Sequence, residues 1–176
     1  MHFVDFLRAT VLLSAAAATA LAIVTVLAAA PSSDAALVSI SAGWWVIAAA
    51  IGLWLGRRAE VNPPIARLLG EARASTALPE HRPGATLLNR LWPLLLFSVA
   101  AGGLAFLAPQ IPGIGAGFAI VLALWWRRQD AAVAAIEERD GVLFHVLRTS
   151  PLRPIALART AGFKTVRPQS INGATT

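Results

Sequence analysis

The residues of this chain that could do chemistry are few. Glu80 and His81 stand side by side in "LPEHRPG", and a carboxylate beside an imidazole is the smallest kit for general acid-base catalysis. Nothing in the surrounding sequence supplies a third group to orient the pair, so it reads as a solvated Pro-rich turn. His2 and His145 are isolated, and the three histidines show no metal-ligand spacing. The chain has no cysteine, which removes disulfides, thiolate nucleophiles and Cys-type metal sites. Near the C-terminus Arg148, Ser150, Arg153 and Arg159 form a set able to grip a phosphate, a lipid headgroup or a partner. A tail facing the positive side of a membrane has the same composition. An enzyme acting on lipid headgroups would need Glu71, Glu80, His81 or His145 to converge, and no spacing brings them together. The expectation is therefore a protein that is not an enzyme, with no metal and no cofactor.

The elements that would position these groups are membrane helices. Apolar residues make up 57% of the 176 and charged residues only 14%, far from the balance of a soluble domain. Crossing about 30 Å of hydrocarbon takes roughly 20 apolar residues. Four segments approach this: Ala9–Ala30, Ala36–Gly56, Leu91–Ala108 and the shorter Ile111–Trp126. The links "PSSDA" and "PQIPG" carry the Pro and Gly that end helices. The expected fold is thus all-α and membrane-integral: four transmembrane helices as two antiparallel hairpins. Residues 1–58 hold the first hairpin, 59–90 a loop, 91–128 the second hairpin and 129–176 a helical extension and tail. A rival reading takes the N-terminus as a signal peptide cut near "LAAAPSSDA". The apolar run is longer than a signal core, and Pro31 would follow the cut.

Basic residues fix the expected orientation, because they stay on the cytoplasmic side. Arg8 precedes the first span, six arginines lie between Arg57 and Arg90, and eight basic residues follow the last span; the two external links have none. Both termini are expected in the cytoplasm, with the chain in the inner membrane of a bacterium. Arginine outnumbers lysine fourteen to one, which together with heavy alanine use fits GC-rich coding. The net charge of +6 then follows from topology and anionic inner-leaflet lipid, not from nucleic-acid binding.

The phrases "LWLGRRAE" and "LWWRRQD" recur, with Arg57 and Arg127 seventy residues apart. Two readings stand: an internal duplication of the parallel kind, with a pseudo-twofold axis along the membrane normal, or an inner interface written twice, an aromatic belt followed by positive charge. On either, Trp54, Arg57, Arg58, Trp125, Trp126, Arg127 and Arg128 are interfacial anchors, with Trp92 in the same belt. Trp44 and Trp45 lie inside the second span and are expected to pack. The glycines of "GLWLG" and "GIGAG", and the pair Gly102 and Gly103, let helices approach closely, within the chain or between subunits. No charge stands inside the spans, which disfavours proton-coupled transport. The hydroxyls there are expected to bond their own helices.

Two polar-side segments remain. "NPPIARLLGEARAS" reads as a short amphipathic helix capped by Asn62, its Ile65, Leu68, Leu69 and Ala72 lying on the membrane or against the tail. After Arg127 the helix is expected to continue to Asp140 and break at Gly141. "GVLFHVLR" and "PIALARTAGF" read as a small β-hairpin, and the end from Val166 as disordered. The function expected is association: an accessory or scaffold subunit whose partners are membrane lipids and another membrane protein or a second copy of itself. The alternative is a small homo-oligomeric channel or carrier for an uncharged solute or lipid.

Overall fold

A computed structural model describes residues 1–30, 35–58, 60–75, 83–147, 149 and 154–161. The protein is mostly helical: α1 (Phe3–Ala29), α2 (Ala35–Leu55), α3 (Pro63–Gly70), α4 (Pro83–Gly103) with a 3-10 turn at Leu104–Phe106, α5 (Gln110–Trp126) and α6 (Gln129–Asp140). Three short strands follow the same order: β1 (Arg73–Ala74) after α3, then β2 (Val142–Val146) and β3 (Leu157–Ala161) at the C-terminal end.

Three helices, Phe3–Ala29, Ala35–Leu55 and Pro83–Phe106, are long and apolar enough to cross a membrane. α5 has 17 residues and reaches about 25 Å at 1.5 Å per residue. Two helices begin earlier than their apolar stretches. α1 starts at Phe3, not near Ala9, because Phe3, Val4, Phe6 and Leu7 are buried in a core of their own and keep the helix going past Asp5 and Arg8. α4 starts at Pro83, where a proline suits the first turn, so part of the expected loop is helix.

Hairpin connectivity does not become hairpin packing. α5 lies against both α1 and α2, α4 leans on α1 and α5, and α1 touches α2 only slightly; α2 and α4 form no interface comparable to that of α1 with α5. A twofold axis exchanging the halves would require the two interfaces to match. α5 is central because its residues are small. A side-chain carbon at Gly113 would meet Ser41 Oγ at 2.7 Å, one at Gly115 would meet Leu21 at 3.2 Å, and one at Gly117 would enter the Trp44 indole. From the other side, Gly52 faces Val121 and Leu124, and Gly56 faces the Leu124 carbonyl. The two glycine motifs are therefore the two faces of one internal contact, along which α2 and α5 run parallel. Gly102 and Gly103 have nothing within 4 Å.

Trp44 and Trp45 tie the same contact, donating from Nε1 to the carbonyls of Ile114 (3.3 Å) and Gly113 (2.8 Å). The hydroxyls of Thr10, Ser14, Thr19, Thr25, Ser39 and Ser98 donate to carbonyls four residues earlier in their own helices.

At the polar end, Gly141 ends α6 with φ 64°, a left-handed conformation that suits glycine. β2 alternates buried Val142, Phe144 and Val146 with more open Leu143 and His145, the period of a half-buried strand. β2 and β3 pair antiparallel, as the expected hairpin requires. The sheet is larger than a hairpin, however: β1 from the middle segment adds parallel to β3, giving the order β1-β3-β2. Beyond β2, His2 bridges to His145, and Val146 N–H donates to the Met1 carbonyl at 2.9 Å. Phe3, Phe6, Leu7, Ile65, Leu91, Val133, Phe144 and Leu157 form the core beneath the sheet.

Candidate functional site at the polar end

The start of the chain, α6 and the sheet converge on one buried carboxylate. Glu137 is 6% exposed. Its Oε1 accepts the Phe144 N–H at 2.8 Å, and His2 Nε2 lies 3.0 Å from both carboxylate oxygens. Around them, Asp5 Oδ2 is 3.8 Å from His2 Nδ1, the His145 ring stands 5.9 Å from that of His2, and Thr160 Oγ1 is 3.4 Å from His145 Nδ1. A carboxylate, two imidazoles and a hydroxyl are the types an acid-base site uses. Their geometry is that of a clasp: the Glu137 oxygens are taken by a ring and a backbone amide, which satisfies a buried polar group. Among the described residues no three of His, Cys, Asp and Glu are arranged to hold a metal.

Three further clasps fasten the same end. Gln129, 1% exposed, accepts the Asn62 N–H at 2.9 Å through Oε1 and donates through Nε2 to the Glu60 carbonyl at 3.3 Å. A buried side-chain amide thus replaces a strand partner for the segment entering α3. Arg8 Nε donates to Asp130 at 3.0 Å. In the first turns of α4, Asn89 Nδ2 donates to the Thr149 carbonyl at 2.9 Å and Arg90 donates to Thr149 Oγ1, holding Thr149 against α4. At the end of α6 a hydrogen bond from Arg139 holds the Asp140 carboxyl below its ordinary range. That pair is exposed and acts as a solvated ion pair.

α3 lies against the tail, with Ile65 buried in the polar-end core and Leu68, Leu69 and Ala72 around it. Asn62 precedes α3 as expected, but its side chain makes no capping bond. Prolines occupy the first two helical positions, and Pro64 has no N–H to offer a cap.

Of the residues expected to grip a headgroup or partner, Arg148, Ser150 and Arg153 lie outside the described residues, as do Glu80 and His81. Arg159 stands on β3 between Ala74 and Phe144, with its side chain exposed. Among the interfacial anchors, Trp54 is exposed with the Arg57 guanidinium 5.4 Å over its ring, and Arg58, Arg127 and Arg128 are exposed. Trp125 is half-buried. Trp126 is half-buried and packs against the polar-end core. The two repeated phrases meet: Arg128 Nη1 donates to the Arg57 carbonyl at 3.0 Å.

The clasp of His2 and Glu137 was not legible in the sequence, since 135 positions separate the two. The one available signal was a glutamate on the otherwise apolar side of "AAVAAIEER". No protein-family model, curated protein or solved structure matches this chain.

Proposed function

We propose that the chain is a non-enzymatic integral membrane protein of the inner membrane, crossing four times with both termini in the cytoplasm, and that it works by association as an accessory or scaffold subunit. The observation that carries the topology is the sheet. It draws on residues 2, 73–74, 142–146 and 157–161, so the segments before α1, between α2 and α4, and after α5 share one side. An even number of crossings must then separate them, and α5 crosses with α4 despite its length. A packed small-residue helix spans with fewer residues when its neighbours thin the bilayer or arginines at its end reach the headgroups. The excess of basic residues on the sheet side makes that side cytoplasmic.

Association is favoured because the polar-end unit is a folded surface held by four clasps, while the contact of α2 with α5 has no room for one added carbon at Gly56 or Gly117. A solute path along that contact would have to break it. The absence of cysteine makes the topology test direct. Single cysteines at Gly70, Glu138 and Leu107, all exposed, are labelled with a membrane-impermeant maleimide in intact and opened cells. Labelling of 70 and 138 only after opening, and of 107 in intact cells, is expected; 70 and 138 on opposite sides would sink the four-crossing reading. Native mass spectrometry after gentle extraction tests association. A foreign subunit at fixed stoichiometry, lost in Leu143→Glu/Leu147→Glu, supports it. A homo-oligomer alone, with flux in liposomes, would replace it with the channel or carrier reading.

A further inference from the structure

The parallel run of α2 and α5 brings four arginines to one junction. Arg57 and Arg58 follow α2, Arg127 and Arg128 follow α5, and all four are exposed. The junction is tight: the Leu124 carbonyl abuts Gly56, and Arg128 donates to the Arg57 carbonyl. Among the described residues none of the four forms an ion pair with a carboxylate, and the nearby Asp130 is taken by Arg8. The contrast with the rest of this end is sharp, since Arg139 has Asp140 and His2 has Glu137. Like charges held side by side repel unless an anion joins them. Directly toward the bundle, Ile47, Ile51 and Trp54 recur at helical spacing on α2 and are all exposed, an apolar strip leading away from the cationic junction.

We propose that this junction binds the headgroup of an anionic phospholipid. Its phosphate sits among Arg57, Arg58 and Arg127, and an acyl chain lies along Ile47, Ile51 and Trp54. Guanidinium forks suit phosphate oxygens, which they contact in pairs. Arg128 acts differently, closing the end of α2 by satisfying a terminal carbonyl and so fixing the spacing of the other three. The adjoining apolar strip selects a lipid over a free phosphate ion. This site stands whether or not a protein partner exists.

The test uses the full chain, delipidated in detergent and titrated with phosphatidylglycerol, phosphatidylcholine or orthophosphate, with bound lipid counted by native mass spectrometry. Arg57→Gln/Arg58→Gln/Arg127→Gln is compared with Arg67→Gln/Arg73→Gln/Arg139→Gln, which removes equal charge from exposed positions elsewhere. The junction variant is expected to bind phosphatidylglycerol about a hundredfold more weakly, and the control within a fewfold of the unaltered chain. Equal losses in both, no loss in either, equal binding of phosphatidylcholine, or displacement of the lipid by millimolar orthophosphate would each overturn the site. Thermal melts accompany both variants. If the triple variant does not fold, Arg127→Gln alone is expected to weaken binding about fivefold, and an unchanged affinity would overturn the site.

Discussion

The two cores of this molecule are built on opposite rules. At the polar end the buried side chains are large: Phe3, Phe6, Leu7, Ile65, Val133 and Phe144. Between the long helices they are small: Ala101 and Ala116 around Leu21, with glycines at the α2 and α5 contact. Water explains the first, because burying large apolar groups away from it is the main driving force. Lipid explains the second. Where the surroundings are as apolar as leucine, large side chains gain nothing by turning inward, and close backbone approach supplies the attraction. The outward faces agree, since Leu12, Ile40, Val46, Leu96, Val99 and Phe106 are all exposed on the long helices.

Opposite substitutions should therefore do the damage in each core. The largest effect is expected for Phe3→Ala, a truncation of a side chain 1% exposed, at about 3–5 kcal/mol. Thermal unfolding in detergent measures it against Phe106→Ala, a side chain 95% exposed, which should change little. Equal shifts would break the distinction. Next comes Gly56→Ala, where the added carbon runs into the Leu124 carbonyl; overpacking there is expected to cost about 1–3 kcal/mol and to part α2 from α5, read as a loosened distance between spin labels on the two helices. Glu137→Gln keeps the shape but weakens the hold on His2. A loss of about 1–2 kcal/mol should appear together with faster hydrogen exchange at the Phe144 amide, and unchanged exchange would show the carboxylate to be dispensable. The smallest effect has the opposite sign. Gly102→Ala fills open space in a helix and should stabilise by about 0.5–1 kcal/mol; a loss instead would mean that this face is occupied.

Local features were legible in the sequence. An apolar, partly β-branched run marked β2, Pro and Gly punctuation marked the ends of α3 and α6, and apolar length marked the long helices. Features made by distant pairs were not. β1 is two residues long and carries no period of its own, so it exists only because β3 offers an edge. The early start of α1 was hidden because Asp5 and Arg8 look like flanking charges, whereas Phe3, Phe6 and Leu7 fall on a buried face that residues of α3, α4, α6 and the sheet complete. The partners of Glu137 and Gln129 lie on other elements, and a single chain offers no means of pairing residues so far apart. The repeated phrase was visible, but its two readings differ in packing, and the unequal contacts of α1 with α5 and of α2 with α4 are a matter of side-chain size.

The sheet also sets a schedule. His2 leaves a ribosome well before Leu157, yet they share one sheet. At about 5–20 residues per second, the apolar face of Phe3 and Leu7 waits about 10–30 s for the strands that cover it. During that wait it is open to whatever proteases patrol the membrane surface. A chain cut short before β3 would lack Leu157 and the edge on which β1 pairs, leaving that core incomplete and so carrying its own mark of truncation.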